Sequence, residues 1–290
     1  PGLNALFGLE YKQYENQHAE IYTTESSDRA FEEEVMLSGF ANANVKAEGS
    51  GVSFDEAQET FSARYTHETV ALAFAITEEA IEDNLYDRIA SRYTKALARS
   101  MSNTKQVKAV EPLINGLPTA DDFDSGDGVS LFSTAHPTIA GTYKNTLSAQ
   151  ADLNETSLEQ SLIDIAAMTD ERGLRIAARG VKMIIPSKLQ FTAERLMKSQ
   201  GRTATADNDI NAIASMGMIP QGYRVNNYLT DDDAFYIITD VPNGMKMFNR
   251  APLTTAMEGD FDTGNVRYKA RERYSFGVSD PRGIFGVEGA

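Results

Sequence analysis

The sequence of 290 residues contains no cysteine, so disulfide bonds, thiol nucleophiles and cysteine-ligated metal sites are excluded. No apolar run approaches the roughly 18 residues that a membrane-spanning helix needs. The first residues, PGLNALFGLEYK, lack the basic and apolar regions of a signal peptide. Together these absences predict a soluble globular protein, and the missing cysteines are compatible with a cytoplasmic origin.

Basic residues are scarce relative to acidic ones. There are 27 lysines and arginines against 42 aspartates and glutamates, which gives a net charge of −15. Nucleic-acid binding depends on neutralising phosphates, so this chain is a poor overall match to DNA or RNA. The negative charge favours solubility and weak adhesion to polyanions. The length allows one large domain or two smaller ones, with a buried core.

Histidine is scarce too, and the sequence LFSTAHP (131–137) places one histidine near a serine. A serine nucleophile needs a base, and the base needs an orienting third group, so Ser133 and His136 are candidates for a hydrolase centre. No G-x-S-x-G pattern surrounds Ser133. A hydrogen-bonded loop made rigid by Pro137 is therefore the favoured interpretation, and we predict no catalytic residues.

No metal or cofactor site is predicted. The three histidines lie in distant segments, and no two have the four-residue helical spacing of zinc enzymes. The acidic stretches 121–128, 231–233 and 258–262 do not follow the spacing of a calcium-binding EF-hand loop and are interpreted as solvated turns. A phosphate-binding P-loop and a dinucleotide fingerprint are both absent from the sequence.

The first 75 residues predict an extended arm followed by a hairpin. Residues 1–42 show no long period, and we expect only a short helix near 27–36. Residues 43–75 carry short alternations such as FSARYTHETVAL, which are typical of strands. Glycines 49 and 51 predict the turn of a long hairpin that could project from the body.

The clearest element is a helix over 77–103. Thr77 can cap its N-terminus, and the acidic residues that follow suit the helix dipole. Apolar residues recur every four positions and predict one buried stripe. The members of this stripe are Ile81, Leu85, Ile89, Tyr93 and Leu97.

A second domain is predicted from about residue 153. Thr156 and Glu159 have the spacing of a capping box, and Gly173 is expected to end the helix that follows. The apolar face of that helix comprises Leu158, Leu162, Ile165 and Met168. Strands are expected at 181–186 and 234–240 with a helix at 187–201 between them, which indicates helices packed on a small sheet.

Residues 266–278 alternate strongly between apolar and cationic side chains, which predicts a strand with two different faces. Only Glu272 interrupts the apolar face. The cationic face carries Arg267, Lys269, Arg271 and Arg273. Three interpretations stay open: a solvated face, contact with DNA phosphates, or pairing with acidic segments of neighbouring subunits. The last is favoured because the rest of the chain is acidic.

Long blocks of the sequence, in order along nearly the whole chain, resemble the major capsid proteins of tailed bacteriophages, and most nearly the Mu-like major head protein group. The blocks are ITEEAIEDNLYDRIASRYTKALARSM, GDGVSLFSTAHP, KNTL, QFTAERLMKS, TADNDINAIASMGMIPQGY, TDVPNGMKMFNR and MEGDFDTGNVRYKARERYSFGVSDPRGIFG. The resemblance implies an α+β chain with the Hong-Kong-97-type capsid fold.

That fold implies five segments. They are an N-terminal arm at 1–42, an E-loop hairpin at 43–75, a P-domain at 76–152 with its spine helix at 77–103, an A-domain at 153–240, and return strands of the P-domain at 241–290. The arm begins almost at once, so we expect either a separate scaffolding protein or a segment already removed.

The resemblance implies a non-enzymatic subunit that assembles with itself into pentamers and hexamers, forming an icosahedral shell around double-stranded DNA in the virion. Expected partners are a scaffolding protein, a portal and decoration proteins, with no sequence-specific DNA contact and no membrane. Some relatives form Lys–Asn isopeptide bonds, but nothing around Lys46 in the E-loop marks it as reactive, so we predict non-covalent assembly. Lys46, Arg64 and the four cations of the 266–278 strand are the predicted inter-subunit contacts. An encapsulin-like bacterial compartment and a serine hydrolase are the alternatives.

Overall fold

The computed structural model describes residues 3–82, 86–120, 123–201, 209–260 and 264–290. Three short 3-10 helices lie at Gln17–Glu20, Ser187–Leu189 and Pro281–Gly283. The α-helices of the described residues are α1 (Leu3–Gln13), α2 (Glu78–Glu82), α3 (Tyr86–Asn115), α4 (Glu155–Ala166), α5 (Gln190–Lys198) and α6 (Ala212–Met216).

The strands form two four-stranded sheets, ordered β1-β10-β11-β4 and β12-β9-β7-β8, and two two-stranded sheets, β2-β3 and β5-β6. Their bounds are β1 (Thr23–Ser26), β2 (Phe31–Leu37), β3 (Glu59–Thr66), β4 (Glu68–Ile76), β5 (His136–Thr138), β6 (Gly141–Tyr143), β7 (Gly180–Ile185), β8 (Tyr223–Val225), β9 (Phe235–Thr239), β10 (Met245–Gly259), β11 (Val266–Val278) and β12 (Ile284–Val287).

The chain divides into two compact units, each built from three separate segments. The first unit contains Pro1–Glu32, Tyr65–Ala109 and Met247–Phe276. The second contains Glu33–Arg64, Val110–Lys246 and Gly277–Ala290. Helices and sheets occur together, as the predicted α+β class requires, and in the described part of the chain no helix is long and apolar enough to cross a membrane.

The first unit contains a helix where we expected an arm without a core element. Leu3, Phe7 and Tyr11 are four residues apart, so they share one face of α1 and pack on a cluster formed by α3 and β11. Phe7 is only 2% exposed. The expectation of a core-free arm was wrong because this short apolar period was overlooked.

The helix expected near residues 27–36 was also wrong, since β2 occupies most of this stretch and pairs with β3. Three consecutive glutamates favour a helix locally, but pairing with a neighbouring strand overrides that weak preference. Along β2 the exposure alternates from residue to residue. Glu34, on its less exposed face, contacts the buried Lys246 at 2.5 Å.

The hairpin exists, but its strands differ from those expected. It is formed by β2 and β3, and β4 pairs instead with β11. Residues 38–58, here called the hairpin tip, contain the predicted turn at Gly49, whose φ is +79°. On β3, Ala63 and Tyr65 are buried while the intervening Arg64 is exposed, so the predicted alternation is confirmed.

The helix predicted at 77–103 is described as α2 and α3, with residues 83–85 outside the described set, and α3 extends to Asn115, twelve residues past the predicted end. The predicted stripe is only partly right: Leu97 is buried, whereas Tyr93 is 48% exposed, and the side chains of Ile81 and Leu85 lie outside the described set. Strict four-residue steps drift by about 40° each around a helix of 3.6 residues per turn. The buried face therefore follows Ala90, Thr94, Leu97, Ala98, Met101 and Ser102.

The second unit has its core between one four-stranded sheet and the helices α4 and α5, as predicted. Leu158 and Ile165 on α4 are fully buried. The predicted capping box was misplaced: Asn154 caps the helix, accepting from the backbone N–H of Ser157 at 2.9 Å, and the Ser157 hydroxyl accepts from the N–H of Asn154. The helix ends at Ala166, before Gly173.

Two glycines of the second unit bring backbone segments into direct contact. A Cβ added to Gly283 would lie 2.3 Å from the Cα of Gly244, and the reverse addition would lie 2.7 Å from the Cα of Gly283. Real Cβ atoms are not found this close to backbone atoms. Glycine at both positions is therefore required for the approach of these segments.

In the first unit the acidic residue on the apolar face of β11 is buried and paired. Glu272 is 2% exposed, and its Oε2 accepts from Lys105 Nζ at 3.2 Å. Burial raises the pKa of Glu272, while the neighbouring Lys105 opposes the shift. The same ammonium lies 5.0 Å from the centroid of the Tyr274 ring. The interruption in the alternating pattern is thus a buried ion pair joining α3 to β11.

We predict that Gly283→Ala lowers the free energy of unfolding by roughly 2–4 kcal/mol, because the added methyl group forces backbone apart in a packed region. Gly51→Ala is the control, since a Cβ added at that position would have no heavy atom within 4 Å. Urea unfolding of both variants measures the difference. Equal stability of the two variants would contradict the close contact.

Acid pH is predicted to destabilise the fold through His18. Burial, followed by the nearby Lys105, lowers the pKa of His18 from 6.5 to about 4. Between these values the unfolded chain binds a proton that the folded chain does not, so stability falls as the pH drops from 6.5 to 4. The expected contribution over the whole window is on the order of 3 kcal/mol.

The free energy of unfolding in urea is measured for the natural chain and for His18→Gln. The two pH values, about 7 and about 4.5, enclose most of the range over which the effect is expected. Glutamine retains a group that can accept from the Gln106 amide, which lies 3.0 Å from His18 Nδ1. The carboxylates contribute equally to the pH dependence of stability in the natural chain and in His18→Gln. The difference between the two pH dependences therefore gives the contribution of His18. Identical pH dependences would show that this histidine titrates normally.

Candidate assembly surfaces and the Ser133–His136 loop

His136 is a fully buried structural residue at the start of β5. Its Nδ1 lies 2.6 Å from the Asp127 carboxylate and its Nε2 lies 2.9 Å from Asn145 Oδ1. The ring also stacks on Tyr143 at 4.8 Å between centroids. Burial alone would raise the pKa of Asp127, but hydrogen bonds from His136 and Ser125 outweigh it and hold that pKa below its ordinary value.

The serine and the histidine are not arranged as nucleophile and base. Both ring nitrogens of His136 are engaged by other groups, Nδ1 by Asp127 and Nε2 by Asn145, and in the described part of the chain neither contacts the Ser133 hydroxyl. Within the described residues, the Ser133 hydroxyl accepts from the backbone N–H of Ala135 at 3.2 Å. The loop therefore has the hydrogen-bonded structural geometry that the sequence favoured.

Asn145 organises this loop, although the sequence did not identify it. Its Oδ1 accepts from the backbone N–H of Ser133, and its Nδ2 donates to the carbonyls of Leu131 at 2.7 Å and Pro281 at 3.1 Å. A single asparagine in a loop has no distinctive spacing. Only the folded structure shows that its amide joins two distant parts of the chain.

A buried guanidinium lies on the same aromatic ring as His136. Arg282 is 4.3 Å from the centroid of Tyr143, and its donors contact Asp280 at 3.2 Å and the carboxylate of Glu171. Its Nε donates to the carbonyl of Thr169 at 2.9 Å. Tyr143 is thus in contact with both His136 and Arg282, and this polar cluster links β6 to the C-terminal segment.

The cationic row predicted on β11 exists, with three exposed members and one that is less accessible. Lys269 and Arg271 are exposed, and Arg267 pairs with Asp260. Arg273 is half-buried, and its Nε is buried without a hydrogen bond in the described chain. Directly across on β4 the partners are small: Arg267 faces Ala75, Lys269 faces Ala73, Arg271 faces Ala71 and Arg273 faces Thr69.

The two remaining predicted contact residues lie in the hairpin, away from this row in the chain. Lys46 is exposed in the hairpin tip, and Arg64 on β3 approaches Glu33 on β2 at 3.8 Å. Arg64 therefore stabilises the hairpin itself as well as being exposed. The structure gathers four of the six predicted residues on one strand face and places the other two on the hairpin.

The hairpin tip carries large apolar side chains that are exposed to solvent, a feature that the sequence did not indicate. Every residue from 40 to 59 is exposed. The exposed fractions of the apolar side chains are 59% for Phe40, 101% for Val45, 69% for Val52 and 97% for Phe54. Apolar groups concentrated on one exposed segment indicate an interaction surface.

The acidic stretches at 121–128 and 231–233 form turns where they are described, whereas the prediction for 258–262 was wrong at Glu258 and Gly259, which end strand β10. Asp124 Oδ1 accepts from the N–H groups of Gly126 and Gly128, and Asp231 Oδ1 accepts from the N–H of Asp233. Residues 121–122 and 261–262 of the other stretches lie outside the described residues. Within the described ranges, no group of three or more His, Asp or Glu residues is placed to hold a metal ion.

We predict that Asn145→Ala lowers the free energy of unfolding by about 3 kcal/mol or more, because several buried donors and acceptors lose their partner at once. Ser133→Ala, which removes one solvent-accessible hydroxyl contact, is expected to change it by less than about 1 kcal/mol. Thermal and urea unfolding compare the two. A neutral Asn145→Ala would show that this network contributes little.

Comparison with known proteins places the chain in a family. Residues 59–287 match the phage capsid protein family. None of the curated proteins matches the chain. A structure from Mycobacterium phage Patience is similar with a TM-score of 0.62 at 10% identity, covering 98% of this chain and 85% of that one.

Two further solved structures have the same fold at low identity. The capsid of Myoviridae phage XM1 gives a TM-score of 0.57 at 9% identity, covering 93% of this chain and 89% of the other. A virus-like particle from Pyrococcus furiosus gives 0.56 at 10% identity, covering 98% and 96%. Because the family match spans most of its length, this chain belongs to the phage capsid protein family, with the Hong-Kong-97-type fold of a tailed-phage major capsid protein.

Proposed function

We propose that this shell-forming capsid protein assembles through its hairpin tip and its cationic strand face into pentamers and hexamers, and that these tile an icosahedral shell around double-stranded DNA. The observation that carries the proposal is the set of exposed apolar side chains on the tip, among which Val45 and Phe54 are almost completely accessible. Residues 43–58 of the tip lie in the first half of the E-loop, 43–75, that the resemblance implies, and residues 38–42 end the implied arm.

The tip gains free energy only when a partner covers it. Transferring a side chain such as Phe54 from water to an apolar contact contributes roughly 1.5–3 kcal/mol. A two-stranded hairpin is marginally stable by itself in water, so covering it also orders it. One contact of this size is weak, but a closed shell repeats it in every subunit, and the repeated contacts stabilise one another through avidity.

The cationic face supplies the second contact. Lys269 and Arg271 project from a regular strand of an otherwise acidic chain, so acidic segments of neighbouring subunits are suitable partners. Arg267, Arg273, Lys46 and Arg64 stay in the proposed contact set. Among these, Arg273 is the least accessible and is a poor site for a charge reversal, because burying a carboxylate there would disturb the fold itself.

The partners and the location of the assembled shell are proposed from the family to which the chain belongs. Partners are other copies of the chain, a scaffolding protein, a portal and decoration proteins, with DNA enclosed without sequence-specific contacts. The virion is the final location, and assembly takes place in the cytoplasm of the bacterial host. Binding without chemical turnover accounts for the described loop geometry, and the excess negative charge reduces adhesion to the packaged DNA. Assembly is non-covalent, with Lys46 making surface contacts.

A bacterial compartment shell of the encapsulin type is the second candidate. Its support is the similarity to the virus-like particle from Pyrococcus furiosus, which is close in TM-score to the phage structures. The contents of purified particles distinguish the two: nuclease-resistant DNA supports the phage shell, whereas an enclosed enzyme supports the compartment. A fluorophosphonate probe that labels Ser133 would revive the hydrolase alternative.

We predict that Phe54→Asp prevents shell formation while leaving the subunit folded. The substitution removes the apolar side chain and adds a charge in the hairpin tip. Electron microscopy and light scattering measure assembly, and circular dichroism measures folding. Closed shells in the unaltered protein and small soluble species in Phe54→Asp are the expected result.

Ser53→Asp is the matched control, because it adds the same charge one residue away and keeps the aromatic ring. It is expected to form shells. Normal shells from Phe54→Asp would show that the tip does not mediate assembly, and loss of shells in both variants would indicate that added charge, not lost apolar contact, is responsible.

A further inference from the structure

An acidic cavity of about 360 Å³ lies in the second unit, bounded in part by the strand that leads into the hairpin tip. Its lining combines carboxylates with apolar side chains such as Leu37, Ile176 and Val241. The charged residues that line it are Asp170, Glu171, Asp240, Asp280 and Arg282. Four carboxylates and one guanidinium leave the cavity with an excess of negative charge.

Each of these carboxylates uses one oxygen to hold the chain itself. Asp170 Oδ1 accepts from two backbone N–H groups, Asp240 Oδ1 accepts from the N–H of Arg179, and Asp280 Oδ1 accepts from Arg282. Glu171 uses Oε1 to bind the Arg282 guanidinium. The first oxygens therefore hold the chain around the cavity, and no hydrogen bond among the described residues engages the second oxygens.

Glu171 supplies independent evidence that a donor is needed. Its side chain is 3% exposed, and its Oε2 is buried without a hydrogen bond to any described residue. A buried carboxylate oxygen without a donor destabilises a fold, so folded proteins almost always provide a partner. Burial raises the pKa of Asp280, and its contacts with Arg282 only partly oppose the shift.

The lining indicates the chemical class of the donor. No three carboxylates of the described residues are placed to hold a metal ion, so a bare cation is not the favoured ligand. A lysine or arginine side chain has an aliphatic stem that suits the apolar part and a cationic head that suits the carboxylates. Among the described residues, Lys269 and Arg271 are adjacent exposed cations on one strand face without an ion pair to a described acid.

We propose that this cavity is an inter-subunit receptor that binds the Lys269 or Arg271 side chain of a second copy of the chain. The small partners of these residues on β4, Ala73 and Ala71, leave room for another subunit to approach the row. The proposal rests on the proposed self-assembly and assigns it a specific electrostatic contact.

The first test is zero-length carbodiimide cross-linking of assembled shells, which joins an amine to a carboxylate only when they touch. The unaltered chain and Arg271→Lys are both treated, so that either position of the row presents an amine. Covalent dimers and longer ladders on denaturing gels are expected, with cross-linked peptides joining position 269 or 271 to one of the four cavity carboxylates.

The second test compares Asp240→Asn with Asp232→Asn. Asp240 is exposed, and asparagine retains the Oδ1 acceptor for Arg179 while removing the charge. Asp232, 64% exposed and 3.7 Å from Lys188, is a matched control outside the cavity. Asp240→Asn is expected to raise the protein concentration needed for shell formation at least fivefold, and Asp232→Asn to leave it within twofold.

Shells that form normally but give no such cross-links, together with equal assembly of the two variants, would overturn the receptor and leave the proposed function intact. That outcome includes the case in which the cationic row contacts packaged DNA. Failure of the unaltered chain to form any shell, even with its scaffolding protein co-expressed, would overturn the proposed function and the receptor with it.

Discussion

The fold of the second unit depends on one buried amide. The Asn145 Oδ1 accepts from the backbone N–H of Ser133 and lies 2.9 Å from His136 Nε2, and its Nδ2 donates to the carbonyls of Leu131 and, in the C-terminal segment, Pro281. The backbone N–H of Gly286 donates to the carbonyl of the same residue at 3.0 Å. The Asn145 amide itself has both its donor and acceptor groups satisfied, and such a centre in a low-dielectric interior is rigid, because breaking any of its bonds leaves buried polar groups unpaired.

This rigidity matters because the same unit carries the hairpin and the acidic cavity. Arg282 extends the polar network from Tyr143 to Glu171, which lines the cavity. Arg172, the next residue along, donates to the carbonyl of Glu56 in the hairpin tip at 2.7 Å. The loop at 131–137, which resembles a catalytic motif in sequence, is therefore part of the hydrogen-bonded structure that supports the hairpin tip and the acidic cavity.

Much of the regular structure could be predicted from local patterns. The apolar face of α4 and the two-faced alternation of β11 follow from a single period, and most of their buried positions can be recognised by residue type. The predictions failed for elements whose structure depends on packing or pairing with residues distant in the chain. The Glu-rich β2 is a strand because β3 pairs with it, and α1 was missed because its three apolar residues become significant only against α3 and β11.

The sequence by itself determined the residue classes available for chemistry, the two faces of β11 and, through long matching blocks, the capsid family. Periodicity and composition are properties of the sequence itself, so they can be recognised without a structure. Only the tertiary structure decided that Glu272 is buried against Lys105, that Phe54 stands free in solvent, and that four carboxylates line one cavity. These facts depend on contacts between residues far apart in the chain, which no local period encodes.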